Sequence, residues 1–120
     1  YDIVLEATGK APDIYRFRGG SVTAYNTDTR DDIIAEMARR GFTYFDWNVD
    51  SNDWQGYGWT TLYTNVLADA QEFSTPVILF HNTGDRDNTV LVIEDIIKAL
   101  KDKGYKFGSL SHKTEPIQFQ

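Results

Sequence analysis

Four side chains of this 120-residue chain stand out by type and spacing as able to do chemistry together: a histidine, two aspartates and an arginine. His81 closes the run Thr75-Pro-Val-Ile-Leu-Phe-His-Asn-Thr-Gly84, and an imidazole there can give or take a proton near neutral pH. Asp50 and Asp53 stand three residues apart in Asp50-Ser-Asn-Asp-Trp54. A carboxylate beside an imidazole orients the ring and favours its protonated form. Arg16 precedes the pair Gly19-Gly20, and two glycines after a strand let the backbone turn sharply and aim N–H groups at a ligand. Each feature also has an ordinary reading. His81 can cap a strand and hydrogen-bond its own turn, the glycines can form a plain tight turn, and Asp50, Asp53 and His81 make a hydrogen-bonded ion pair more readily than a metal triad.

These residues need elements that bring them together. Val77 to Phe80 is an unbroken apolar run between a proline and an Asn-Thr-Gly turn, the pattern of a parallel strand buried on both faces. Ligands in parallel α/β folds are handled at the carboxyl ends of strands, where His81 falls. Ile14 to Phe17 and Phe42 to Val49 read as earlier strands, and Tyr105 to Leu110 as a fourth. Between them lie three helices. The first follows the capping-box spacing of Thr29-Arg-Asp-Asp32 and carries Ile33, Ile34, Met37 and Ala38. The second is capped by Thr60 or Thr61 and carries Leu62, Tyr63, Val66, Leu67 and Ala70. The third is capped by Asn88 and carries Val90, Ile93, Ile96, Ile97 and Leu100. The tail, 111–120, reads as a loop or short edge strand, with His112 exposed. Tyr1 to Thr8 reads as the last turns of a helix ended by Gly9, as expected of a cut, processed or fragmentary chain. This alternation predicts an α/β fold with a parallel sheet covered by helices. Arg16 with the glycine turn, Asp50 with Asp53, and His81 then lie at three successive strand ends and can share one mouth.

Composition narrows the partners. Twelve Lys and Arg against 18 Asp and Glu give a net charge of −6, with no basic stripe, which argues against nucleic acid and against strongly anionic substrates. The chain has no cysteine, so it can form neither disulfides nor thiolate metal sites. No apolar run approaches a bilayer span.

The ordered set Arg16-Phe-Arg-Gly-Gly-Ser21, Trp47-Asn-Val-Asp-Ser-Asn-Asp-Trp54 and Val77-Ile-Leu-Phe-His-Asn-Thr-Gly84 resembles the third, fourth and fifth motifs of the polysaccharide deacetylases with the NodB homology domain, carbohydrate esterase family 4. Asp50-Ser-Asn-Asp-Trp54 fits the family's Asp-x-x-Asp-Trp and Leu79-Phe-His81 its Leu-x-His, and the likeness extends to Lys101-Asp-Lys-Gly-Tyr-Lys-Phe107. The resemblance implies the second half of a distorted (β/α) barrel that hydrolyses N-acetyl groups on polymers containing N-acetylglucosamine, such as peptidoglycan or chitin, with a metal-bound water. It further implies that His81 is the acid, that Asp53 pairs with it, and that Arg16 holds the catalytic aspartate. Leu79 would line the acetyl pocket, Trp54 and Asp50 would belong to the substrate wall, and the backbone at Gly19 would face the oxyanion.

Two departures shape the expectation. Arg18 stands where the family's third motif usually has proline. The family's first two motifs, a Thr-Phe-Asp-Asp-Gly run and a His-Ser/Thr-x-x-His pair, do not occur in the sequence, so a divalent metal such as zinc is implied for the complete domain and none for this chain alone. The chain reads as one partial domain, 1–120, inactive by itself, partnered by an amino-terminal half or a second copy. The resemblance also suggests an extracellular or cell-wall location. The competing class is a non-catalytic carbohydrate-binding or interaction module of the same fold, for which Trp54, Tyr57 and Trp59 suit sugar stacking.

Overall fold

Apolar residues three and four apart build the best-packed part of the molecule. In the computed structural model, which describes residues 1–85 and 87–120, helix α3 (Trp59–Ala70) buries Leu62, Val66, Leu67 and Ala70 on one face. Helix α4 (Asp87–Asp102) buries Thr89, Val92, Ile96 and Leu100. The two helices pack on one another and α3 packs on β3 (Val49–Asp50), which pairs in parallel with β4 (Ile78–Leu79) in the register Val49 to Ile78 and Asp50 to Leu79; Val49 joins the helices' core and Ile78 packs against it. These elements form one unit, 47–108.

Several details differ from the sequence pattern. Helix α3 starts two or three residues early, with Gly58 rather than Thr60 or Thr61 as N-cap; Gly58 is extended, and its carbonyl accepts the first helical bond from Leu62 N–H. On α4 the inward face is turned: Val90, expected in the core, is 74% exposed, while its neighbour Thr89 is buried. Thr89 lies on the face that also buries Val92, Ile96 and Leu100, and its hydroxyl donates to the buried carboxylate of Asp53. The expected strand buried on both faces, Val77 to Phe80, is half-buried, and pairs through two residues only. The expected fourth strand, Tyr105 to Leu110, does not form. At the end of α4, Gly104 takes φ +94°, Gly104 N–H donates to Lys101 O and Tyr105 N–H to Leu100 O, a Schellman closure. Tyr105 then donates its hydroxyl to the carbonyls of Ala70 and Phe73, so it clamps the end of α3 instead of joining a sheet.

The second unit comprises 1–46 and 109–120. It contains helix α1 (Asp2–Thr8), closed by Gly9 at φ +70°, and helix α2 (Arg30–Arg39). Its strands β1 (Ile14–Tyr15) and β2 (Thr43–Tyr44) are parallel, with Ile14 opposite Thr43 and Tyr15 opposite Tyr44. Tyr15, Phe17 and Tyr44 form an aromatic cluster with centroids 5.4–6.0 Å apart. The capping box expected at Thr29 is not made: that side chain accepts no cap bond from the first-turn N–H groups. Helix α2 buries no residue fully, so its stripe of Ile34 and Met37 is only half-covered. The tail is a loop, as one of the two readings had it, and its backbone runs beside β2 through Asp46 N–H to Ile117 O at 2.7 Å. His112 is an exposed loop residue, as expected, and both its backbone N–H and its ring bond the carboxylate of Asp13. The Asp13 carboxyl is held below the usual range by those bonds to His112.

The expected strand over Phe42 to Val49 is therefore two strands with different partners. Asp46 lies between them, 2% exposed, and its side chain is committed to hydrogen bonds that a continuous ladder does not provide. The parallel sheet is correspondingly two two-stranded sheets, β1–β2 and β3–β4.

Candidate functional site

Asp53 is placed by a tight succession of turns after β3. The carboxylate of Asp50 accepts from Asn52 N–H at 2.9 Å, and Asn52 takes φ +53°, a left-handed conformation that asparagine tolerates better than most residues. Ser51 Oγ accepts from Asp53 N–H at 3.3 Å, and a 3₁₀ turn over Asp53–Gln55 ends at Gly56, φ +75°. The outcome is a carboxylate pointed inward, with Asp53 2% exposed.

A buried carboxylate is tolerated only when its oxygens are occupied. Asp53 Oδ1 lies 2.6 Å from His81 Nδ1. Oδ2 accepts His81 N–H at 2.9 Å and the Thr89 hydroxyl at 2.7 Å. Burial alone pushes the Asp53 carboxyl up, but the bonds from the His81 backbone, from Thr89 and from the His81 ring outweigh it and hold the carboxyl below its ordinary value. An ionised Asp53 accepts at both oxygens, so His81 Nδ1 is the donor in the pair. The His81 side chain keeps 39% of its surface exposed, against 0% for that of Asp53. One edge of the imidazole is thus fixed against a buried charge, and Nε2 is left for a proton transfer to something outside.

The sequence-derived candidates divide between the two units. Asp50, Asp53, Trp54, Leu79 and His81 belong to the unit 47–108, whereas Arg16 and Gly19 belong to the other. Within the first unit, Asp53 and His81 meet directly. Asp50 does not join them, because its carboxylate is turned onto the backbone of Asn52. Leu79 pairs with Asp50 across the strands and is half-buried, and Trp54 projects from the 3₁₀ turn with 54% of its surface exposed. Tyr57 donates its hydroxyl to Gln55 at 2.7 Å, and Trp59 stacks on Tyr63 with an interplanar angle of 3°.

In the other unit, Arg16 follows β1 and donates to Phe17 O at 3.2 Å. The turn behind it is real: Gly20 N–H donates to Phe17 O at 3.1 Å, and Gly19 and Gly20 take φ +73° and +95°, which side chains rarely adopt. That turn is pinned by Asp46, whose Oδ1 accepts from Ser21 N–H at 2.8 Å and whose Oδ2 accepts from the Ser21 hydroxyl at 2.6 Å and Phe119 N–H at 2.8 Å.

The donor set does not fit a divalent metal. Among the described residues no group of three or more His, Asp or Glu side chains is arranged to hold one, and the oxygens of Asp53 are taken by hydrogen-bond donors. Thr89, Ser21 and Asp46 are the site-building residues that periodicity did not single out. The legible signal was a charged residue inside the strand-like run 42–49; Thr89 gave none, since a threonine in a helix's first turn is commonplace.

No family model matches the chain. It is similar to YheN of Bacillus subtilis, a protein named for polysaccharide deacetylation, at 33% identity over 97% of this chain and 40% of that protein. It is also similar to a peptidoglycan-N-acetylglucosamine deacetylase of Bacillus cereus, at 37% identity over 99% of this chain and 39% of the relative. Among solved structures, the catalytic domain of the peptidoglycan N-acetylglucosamine deacetylase from Eubacterium rectale superposes with a TM-score of 0.88 at 26% identity, covering 99% of this chain and 56% of that domain. The chain thus spans about 40% of the length of the curated relatives it matches and about half of the solved one.

Proposed function

We propose that this chain, which belongs to the polysaccharide deacetylases of carbohydrate esterase family 4 and corresponds to the carboxyl-terminal part of their domain, carries the proton-donating side of a deacetylase site. Hydrolysis of an N-acetyl group adds water to the acetyl carbon and then breaks its bond to nitrogen, giving acetate and a free amine. The nitrogen cannot leave as an anion, so it must receive a proton as the bond breaks. His81 supplies that proton from Nε2, while Asp53, accepting at Nδ1, fixes the ring and stabilises the imidazolium before transfer. The observation that carries this reading is the 2.6 Å contact between His81 Nδ1 and a buried, fully occupied carboxylate, with the imidazole otherwise part-exposed.

The remaining roles follow the motifs. Leu79 lines the acetyl pocket, and Trp54 with Asp50 forms part of the sugar-facing wall. The substrate class is a polymer containing N-acetylglucosamine, peptidoglycan first, because named relatives act on it. Activation of the hydrolytic water and any metal that serves it are assigned to the rest of the domain.

A second reading, a glycan-binding module without chemistry, draws on exposed Trp54 and on the absence of a metal-binding cluster among the described residues. Acetate release by the complete domain separates the two. His81→Gln is expected to lower kcat by about 10²–10⁴-fold, the usual worth of a positioned general acid, with Asp53→Asn intermediate. Turnover unchanged by His81→Gln would refute the assignment of the proton donor, and a complete domain that binds glycan but releases no acetate would favour the binding module.

A further inference from the structure

The carboxylate of Asp53 is held from three separate elements. Asp53 itself comes from the 3₁₀ turn after β3, His81 from the segment after β4, and Thr89 from the first turn of α4. A carboxylate rotates broadly about its last torsion, so one bond to His81 does not determine which oxygen the ring meets. The bond from His81 N–H to Oδ2 helps, yet it moves with the residue that it is meant to orient. Among the described residues, Thr89 is the donor that belongs to neither member of the Asp53–His81 pair. Its hydroxyl, 2.7 Å from Oδ2, comes from a residue 3% exposed and anchored by the buried helix face of Val92, Ile96 and Leu100.

A second observation points the same way. Helix α4 leaves Val90 74% exposed and Leu91 63% exposed while burying the adjacent threonine. The same face carries Val92, Ile96 and Leu100 inward, so the turn of the helix that buries its apolar core also delivers the threonine hydroxyl to Asp53.

We infer that Thr89 is a positioning residue, which locks the rotation of the Asp53 carboxylate so that Oδ1 is the oxygen presented to His81 Nδ1. This rests on His81 and Asp53 being the working pair, but its test needs no turnover. In the ¹⁵N-labelled chain, the His81 Nδ1–H resonance and its exchange with solvent report the bond directly. Thr89→Val, close in shape but lacking the hydroxyl, should speed that exchange about tenfold, the worth of one hydrogen bond, and move the acid titration of Asp53 upward. Thr89→Ser should keep both within about twofold of the parent chain, since the hydroxyl is retained. A folded Thr89→Val chain with parental Nδ1–H exchange would overturn the inference. If that variant fails to fold, Thr89→Ala and Thr89→Ser decide, with equal exchange in the two refuting it. A complete domain that releases no acetate would sink the functional proposal and leave this result standing.

Discussion

Replacing Asp46 by asparagine should cost more stability than almost any other single-atom change in the chain. Asp46 is 2% exposed and accepts three bonds: Ser21 N–H at 2.8 Å on Oδ1, and the Ser21 hydroxyl at 2.6 Å and Phe119 N–H at 2.8 Å on Oδ2. Asparagine has one oxygen and one NH₂. Either way round, the NH₂ faces a backbone N–H, of Ser21 or of Phe119, and neither can accept. The Ser21 hydroxyl can rotate to adapt; the amides cannot. The variant therefore loses one charge-assisted bond, worth about 1.5–3 kcal/mol, and buries an unsatisfied N–H. A net loss of about 3 kcal/mol is expected, a large part of the roughly 5–15 kcal/mol that holds a typical domain. Urea unfolding followed by circular dichroism measures it, with a fall in Tm of about 10–15 °C as the thermal counterpart. Asp31→Asn is the control: its side chain is 90% exposed, and the change should stay within about 0.5 kcal/mol. An Asp46→Asn chain as stable as that control would refute the account of how the glycine turn and the tail are held.

Two further outcomes are expected. Leu62→Ala, at a site 1% exposed between α3 and its neighbours, should lose about 2–5 kcal/mol, whereas Leu91→Ala, 63% exposed, should lose less than about 0.5; equal losses would contradict the described core. Because the Asp53 carboxyl sits below its ordinary value of 3.8, the stability it contributes is fully present above that pH and disappears as pH falls through its folded value. The stability gap between the parent chain and Asp53→Asn should accordingly be widest above pH 3.8 and narrow in stronger acid, and a gap constant from neutral pH to pH 2 would count against the buried ionised carboxylate.

What was legible in the sequence followed from periodicity and from fixed local chemistry. Leu62, Val66, Leu67 and Ala70 marked α3 because a helical face repeats every three to four residues, and Gly9, Gly41 and Gly104 marked helix ends because each takes a left-handed φ. Asp53 and His81 were identified by their placement after strands, and they meet. Illegible were the features decided by a single distant partner. Val90 reads as core because it is apolar, yet the inward position goes to Thr89, whose hydroxyl donates to a carboxylate 36 residues away. Phe42 to Val49 looked like one strand because its composition is β-rich, and Asp46 divides it through partners 25 and 73 residues away. Tyr105 had the composition of a strand and serves as a clamp on α3. Local propensity is silent on such long-range polar satisfaction.

The central claim, that this chain supplies the proton-donating part of a deacetylase, is tested most directly by acetate release from N-acetylglucosamine oligomers. The chain is assayed alone, and then joined to the amino-terminal part of a matched peptidoglycan N-acetylglucosamine deacetylase, with and without His81→Gln. The account predicts no release by the chain alone, release by the joined protein, and its loss on His81→Gln. Release by the chain alone, or release by the joined protein that is indifferent to His81→Gln, would contradict it.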